Sequence, residues 1–285
     1  MKKHKLSIFL GWICLLIALG SFLLQIGSLY VQQKYQLEYI DHRLFYIINI
    51  VCLIFILLAL FLFVSFKKSW IISMSCFVLL FTIIHLLFMQ NDQKEIRNVT
   101  SISPDRNHVF SIKHNISTGE SVYYRSRYKI LGQAKETLPD LIQSDLKIDW
   151  LVNDVAAVTY QASNGSTQQF VATFGDRGDG MSYYYVGAEI HGRWQSDQLE
   201  VRSSSDGIII KQGTKEALFN WENIEQFGTL ALVLSKNGEA KWTIALDENF
   251  QKSSDTATMA PSGNIILSKA VLTNNQPVKL SFVKE

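Results

Sequence analysis

Apolar residues are concentrated in the first third of the chain, where they form three long runs. These runs cover about residues 6–31, 44–66 and 70–89. A helix needs about 20 apolar residues to cross roughly 30 Å of hydrocarbon, and each run meets that length. The pattern therefore predicts a three-helix transmembrane anchor in residues 1–93, followed by a polar region in residues 94–285.

The polar region has a different pattern, made of short alternating or β-branched segments. Segments 155–160, 207–210 and 264–267 are typical, and pairs of Asn or Asp with Gly separate such segments. Short apolar segments between turn signals are typical of strands and hairpins. We therefore predict that the polar region is an all-β domain. One short helix is predicted over residues 138–146, beginning near Pro139.

A turn motif recurs before several of these strands. Ser103-Pro104-Asp105 and Ser204-Ser205-Asp206 are two examples, and the entry points fall at about residues 103, 152, 204 and 260. These turns resemble the blade-opening turns of β-propellers, and the resemblance implies a small ring of blades. A Pro-Asp or Asx turn also begins hairpins in other β folds. The sequence thus leaves two arrangements open, a β-sandwich and a small propeller-like domain.

Lysine and arginine residues near the ends of the apolar runs predict the orientation. The first side carries five of them, in very short segments: Lys2, Lys3, Lys5, Lys67 and Lys68. The other side carries four: Lys34, Arg43, Lys94 and Arg97. Short basic segments stay in the cytoplasm. We therefore expect a cytoplasmic N-terminus and a C-terminal domain outside the cell membrane.

Charge and cysteine content limit the partners and the covalent or metal sites that the polar region can have. The residues after Met89 include 20 basic and 23 acidic side chains, a net charge of about −3, which argues against a nucleic-acid partner. Cys14, Cys52 and Cys76 all lie in the apolar runs. The polar region therefore has no disulfide and no thiolate metal site. A cysteine-free outer domain is typical of bacterial surface proteins.

Few polar side chains interrupt the apolar runs. Gln25, Asn49 and His85 could form a buried functional set, but we expect interfacial placement or ordinary hydrogen bonds between helices. The middle of each run lacks charged residues. This pattern does not favour a transporter or a pump.

The loop beginning at Gly175 is the strongest candidate for partner binding. Its candidate contact residues are Asp176, Arg177, Asp179, Tyr183 and Tyr185. Glycine gives such a loop conformational freedom, and tyrosine offers a large contact area with a hydroxyl group. We expect the partner to be another membrane or surface protein. The two aspartates are an alternative calcium site, although their spacing does not match an EF-hand.

Catalytic and metal-binding patterns are weak. The chain has no Gly-x-Ser-x-Gly motif, and we predict no cofactor and no metal site. His108, His114 and His191 are the alternative for a metal site. We therefore predict a non-enzymatic cell-envelope component or accessory subunit, anchored in the lipid bilayer. The alternative is an envelope hydrolase that uses carboxylates as acid and base, with Asp149, Asp154 and Glu189 as candidates.

Overall fold

A computed structural model describes residues 2–175, 185–251 and 261–284. It confirms three long apolar helices: α1 (Lys2–Tyr35), α2 (Arg43–Phe63) and α3 (Lys68–Glu95). Each is long and apolar enough to cross a membrane. Both α1 and α3 extend beyond their apolar runs, because no proline or glycine interrupts the polar residues that follow.

The three helices pack unequally. Helix α1 lies along α2, where small residues such as Ala18 and Ala59 are buried and allow the backbones to approach closely. The thiol of Cys52 lies 3.4 Å from the carbonyl oxygen of Ala18 at this seam. Helix α3 contacts α2 but has no buried residue of its own. Most of its apolar surface is therefore left to lipid or to other helices.

The chain forms two compact units. The first contains the residues up to Thr100 together with 111–118 and 122–137, so it includes the helices and most of the first sheet. The second contains residues 101–110 and 119–121 and the described chain from Leu138 onward. The proposed boundary at residues 93 and 94 remains a prediction.

The first sheet has five strands, and one of them comes from the segment between α1 and α2. The strands are β1 (Leu37–Tyr39), β2 (Ile96–Ile102), β3 (Val109–Asn115), β4 (Ser121–Arg127) and β5 (Leu131–Thr137). Their order across the sheet is β1-β5-β4-β3-β2. Strand β1 pairs antiparallel with β5, with Leu37 opposite Gln133 and Tyr39 opposite Leu131. The sequence pattern did not predict this strand.

Side-chain bonds show that the five-stranded sheet is curled. The amide of Asn98 on β2 donates to the carboxylate of Asp41, which follows β1. The hydroxyl of Ser111 on β3 lies 3.3 Å from the carbonyl oxygen of Ile40. Since β1 and β2 are the two ends of the strand order, these bonds bring the edges of the sheet toward each other.

The second unit has two further sheets. The three-stranded sheet, in the order β6-β7-β8, contains β6 (Ile142–Val152), β7 (Val155–Ala162) and β8 (Thr167–Thr173). A short helix, α4 (Val186–Glu189), precedes the nine-stranded sheet. The nine strands are β9 (Gly192–Gln195), β10 (Leu199–Ser204), β11 (Gly207–Gln212), β12 (Lys215–Phe219), β13 (Ile224–Phe227), β14 (Ala231–Lys236), β15 (Glu239–Leu246), β16 (Asn264–Lys269) and β17 (Val278–Val283). Their order is β12-β11-β10-β9-β17-β16-β15-β14-β13, and paired strands are antiparallel.

These sheets confirm the predicted all-β region and add detail to it. The recurring turns precede β3, β7, β11 and β16, which lie in three different sheets. The nine-stranded sheet is continuous, because β9 pairs with both β10 and β17. A propeller would instead divide these strands among separate blades.

The short helix predicted over residues 138–146 is wrong. Strand β6 begins at Ile142, which pairs with Ala162 of β7, and the amide of Ile142 also donates to the carbonyl oxygen of Gly119. Pairing with β7 therefore outweighs the local helix-starting signal of Pro139.

The second unit has one hydrophobic core that includes side chains of both sheets. Trp194 on β9 is fully buried, and its indole nitrogen donates to the carbonyl oxygen of Ile190 at 2.9 Å. A buried glutamine, Gln169 on β8, links the sheets. Its amide donates to the hydroxyl of Thr159 at 2.9 Å, and its carbonyl accepts from the hydroxyl of Thr243. These bonds satisfy polar groups that burial would otherwise make costly.

Candidate functional site

A cavity of about 180 Å³ lies in the first unit, where α1 and α3 end and α2 begins. It is lined by Ser28, Leu29, Gln32, Glu38, Tyr39, His42, Phe45, Tyr46 and Asp92. Helix α2 has 21 residues, about the length that crosses the hydrocarbon core. Pockets for drug-sized ligands measure about 300–1,000 Å³, so this cavity suits a smaller group.

One buried glutamine organises the wall of the cavity on the α1 side. The amide of Gln25 donates to the carbonyl oxygen of Phe45 at 2.7 Å and to the side chain of Asn49 at 3.0 Å. Its own carbonyl accepts from the hydroxyl of Tyr39 at 3.1 Å. Burial raises the pKa of Tyr39, and a hydrogen bond with Ser28 opposes that rise. The predicted hydrogen bond between helices is thus confirmed for Gln25 and Asn49.

The third polar residue of the predicted set, His85, takes part in a different contact. Its ring stacks on Phe81 with centroids 3.9 Å apart, and it meets the ring of Tyr46 edge-on at 6.0 Å. The hydroxyl of Tyr46 donates to the carboxylate of Asp92, near the end of α3. His85 therefore supports the ring of Tyr46, which in turn holds Asp92 at the cavity.

Glu38 lines the cavity from β1 and is paired with a lysine of the curled sheet. The ammonium of Lys113 lies 3.0 Å from the carboxylate of Glu38 and 4.4 Å from the centre of the Tyr124 ring. Burial lowers the pKa of Lys113, although the charge of Glu38 opposes this effect. Burial and the nearby Glu38 raise the pKa of Tyr124. This pair neutralises one of the acidic side chains at the cavity.

A second ion pair lies beside the cavity. The guanidinium nitrogen Nε of Arg43 lies 2.9 and 2.8 Å from the two carboxylate oxygens of Asp41. Burial tends to raise the pKa of Asp41, but hydrogen bonds from Arg43 outweigh burial and lower it. This pair neutralises a second carboxylate.

Asn98 fixes the tautomer of the cavity residue His42. The amide nitrogen of Asn98 lies 3.1 Å from a carboxylate oxygen of Asp41 and 2.6 Å from Nδ1 of His42. Because a carboxylate only accepts, this nitrogen is a donor, and we assign the proton of His42 to Nε2. Within the described chain, Nε2 of His42 and Oδ1 of Asn98 are buried without a hydrogen-bond partner.

The balance of charge leaves one carboxylate at the cavity without a cation. Glu38 is paired with Lys113, and Asp41 is paired with Arg43. Asp92 is bound by the hydroxyl of Tyr46, but no residue that the structure describes forms an ion pair with it. The cavity therefore combines one uncompensated negative charge with three aromatic rings, and this combination is chemically suited to a cation.

The predicted partner loop lies mostly outside the described residues. Asp176, Arg177, Asp179 and Tyr183 fall there, whereas Tyr185 is described and is 65% exposed. Both flanks are fixed to the second unit. The amide of Phe174 donates to the carbonyl oxygen of Asp154 at 2.9 Å, and the amide of Val186 donates to the side chain of Gln226 at 3.1 Å. Partner binding by this loop remains a prediction.

The histidines and carboxylates that the sequence offered as alternative metal-binding or catalytic residues lie in different parts of the described chain. Among residues 2–175, 185–251 and 261–284, no group of three or more His, Cys, Asp and Glu side chains is placed to hold a metal ion. The histidines predicted as an alternative metal site, His108, His114 and His191, thus form no such group. Asp149 forms an ion pair with Lys147 at 2.7 Å, and the carboxylate of Asp154 lies against Gly175.

Sequence reasoning missed the cavity residues, although a weak signal was present. Glu38, Asp92 and Tyr46 all lie within about one turn of a helix end or in the short segment between helices. Acidic and aromatic residues at such positions are compatible with ordinary interfacial placement. Only their convergence distinguishes a cavity from a solvated helix end. No family model, curated protein or solved structure matches this chain. The chemistry of the cavity residues is therefore the basis for assigning a ligand.

Proposed function

We propose that this protein is a membrane-anchored binding protein of the cell envelope. Its β-sheets lie outside the membrane, and it serves as an accessory subunit to another membrane or surface protein. Strand β1 carries the proposal. It lies between two membrane helices and pairs with β5, so most of the sheet belongs to the same compact unit as the helices. A partner bound to the sheet would therefore contact a body that is fixed directly to the helices.

The pairing of β1 also supports the proposed topology. Strands β1 and β5 must lie on one side of the membrane, so the chain between them crosses an even number of times. The two helices in between are α2 and α3, and both are long and apolar enough to cross. The basic residues Lys2, Lys5 and Lys67 then lie on the opposite side, which the positive-inside rule makes cytoplasmic.

This topology is tested by fusing reporters to the full-length chain. Alkaline phosphatase fused after Glu285 should be active, and green fluorescent protein at the same place should be dark, because that end lies outside. The matched control inserts the same two reporters into the full-length chain after Phe66, between α2 and α3, where the opposite result is expected. A fluorescent and phosphatase-inactive fusion after Glu285 would show that the β-sheets are cytoplasmic.

The partner loop gives a second test of the proposal. We expect Asp176→Ala with Asp179→Ala to weaken crosslinking of the chain to its native membrane partner, while the melting temperature stays nearly unchanged. The reason is that a glycine-rich loop adds little to the core but presents its side chains to a partner. Asp206→Ala, in an exposed turn, is the control and should change neither property. A large fall in melting temperature for the double variant would show that these aspartates are structural.

A further inference from the structure

We infer that the cavity binds an organic ammonium group, either the headgroup of a membrane lipid or a soluble amine. This inference deepens the proposed function and rests on its placement of the helix ends at the membrane surface. The cavity is lined by Glu38, Tyr39, Phe45, Tyr46 and Asp92, together with neutral side chains.

The sign of the ligand's charge follows from Asp92. The other carboxylates at or beside the cavity already have cations, Lys113 for Glu38 and Arg43 for Asp41. Asp92 receives only the hydroxyl of Tyr46 among the interactions of the described residues. A partly buried carboxylate without a paired cation is stabilised by a positive charge placed beside it. One positive charge would make the cavity neutral.

The aromatic rings indicate an organic cation rather than a metal ion. Tyr39, Phe45 and Tyr46 line the same cavity as Asp92, and Phe45 and Tyr46 meet edge-on with centroids 5.5 Å apart. Aromatic faces attract alkylated ammonium groups, whereas metal ions such as Ca²⁺ need several oxygen ligands. No set of three or more His, Cys, Asp and Glu side chains suited to a metal occurs in the described ranges.

The position of the cavity makes a lipid headgroup accessible to it. Leu29 and Phe45, on its lining, are 57% and 37% exposed, so apolar surface continues from the cavity toward the acyl chains. A volume of about 180 Å³ suits a headgroup and excludes a whole lipid. A soluble amine from the aqueous side has the same chemistry, so the experiment has to separate the two sources.

Native mass spectrometry of the detergent-purified full-length chain tests this inference. The probes are phosphatidylethanolamine, phosphatidylcholine and phosphatidylglycerol with identical acyl chains, and soluble phosphoethanolamine and choline. The two lipids with an ammonium headgroup should bind at least about tenfold more tightly than phosphatidylglycerol, because Asp92 attracts a positive headgroup and repels an anionic one. Tight binding of the lipids alone would identify a headgroup site, and comparable binding of the soluble amines would identify a free amine as the ligand. Equal binding of all three lipids, with no binding of soluble amines, would overturn the inference.

Asp92→Asn is the decisive variant, because it removes the charge and nearly preserves the shape. It should abolish the preference for amines, whereas Glu95→Gln, which removes an exposed acid of the same helix turn, should preserve it. An unchanged preference in Asp92→Asn would overturn the inference. If that variant does not fold, Phe45→Leu replaces it and should weaken binding of phosphatidylcholine several-fold. The reporter fusions are independent: reversed topology with intact amine binding would refute the proposed orientation and leave the site standing.

Discussion

Replacing Trp194 with alanine is expected to lower the free energy of unfolding of the second unit by about 3–5 kcal/mol, the usual cost of deleting a large buried aromatic side chain. Trp194 is fully buried and packs against Phe282, with ring centroids 5.1 Å apart, and against Phe250 at 6.0 Å. It also stands opposite Val201 on β10 and Phe282 on β17. The substitution would therefore leave an empty space in the core of the second unit, where the two halves of the nine-stranded sheet join.

The effect is measured by urea unfolding of the full-length protein in detergent, followed by far-ultraviolet circular dichroism. Leu218→Ala on β12 is the matched control, since Leu218 is 46% exposed and its loss should cost less than about 1 kcal/mol. Equal destabilisation by the two substitutions would mean that Trp194 does not join the sheet halves as described.

Gln25→Leu is expected to weaken the attachment of α1 to α2 and β1 by about 2 kcal/mol. The leucine nearly preserves volume, so the loss reports on hydrogen bonds rather than on packing. The buried hydroxyl of Tyr39 and the side chain of Asn49 would each lose the partner that Gln25 provides. A buried polar group without a partner costs about 1–3 kcal/mol, and a hydrogen bond within a membrane is worth somewhat less.

Cys52 is a natural reporter for this change. It is buried at the seam between α1 and α2, so alkylation by N-ethylmaleimide in detergent, in a Cys14→Ser, Cys76→Ser background, should be slow until the seam loosens. Gln25→Leu should accelerate it, and the exposed control Gln33→Leu should not. Adding Tyr39→Phe to Gln25→Leu should restore part of the protection, because it removes the orphaned hydroxyl. Acceleration by Gln33→Leu to the same degree would assign the effect to general loosening of α1.

Local signals were sufficient for the helices and for many of the strands. Hydrocarbon selects helices by length and apolar content alone, and these properties are readable along the chain. Pairs of Asn or Asp with Gly likewise predicted turns from a few residues of sequence. Asn164-Gly165 connects β7 and β8, with Gly165 at a φ of +83°, where glycine is favoured over other residues.

Signals failed where structure depends on distant partners. Residues 138–146 carried a local helix signal, but those from Ile142 onward belong to β6, where Ile142 and Leu146 pair with Ala162 and Tyr160 of β7. Strand β1 has only three residues and no recognisable pattern, and it is a strand because β5 pairs with it. The turn motif predicted the starts of strands correctly, but it carried no information about which sheet each strand joins.

The sequence by itself determined that this protein has three apolar helices long enough to cross a membrane and an all-β region, because hydropathy and turn chemistry act over a few residues. Only the tertiary structure decided that β1 joins the helices to the first sheet and that Asp92 meets Tyr46, Tyr39 and Phe45 at one cavity. Charge balance within that cavity depends on ion pairs such as Lys113 with Glu38, which are far apart in the chain. Such pairs form through long-range folding, and no local pattern encodes which carboxylate is left without a cation.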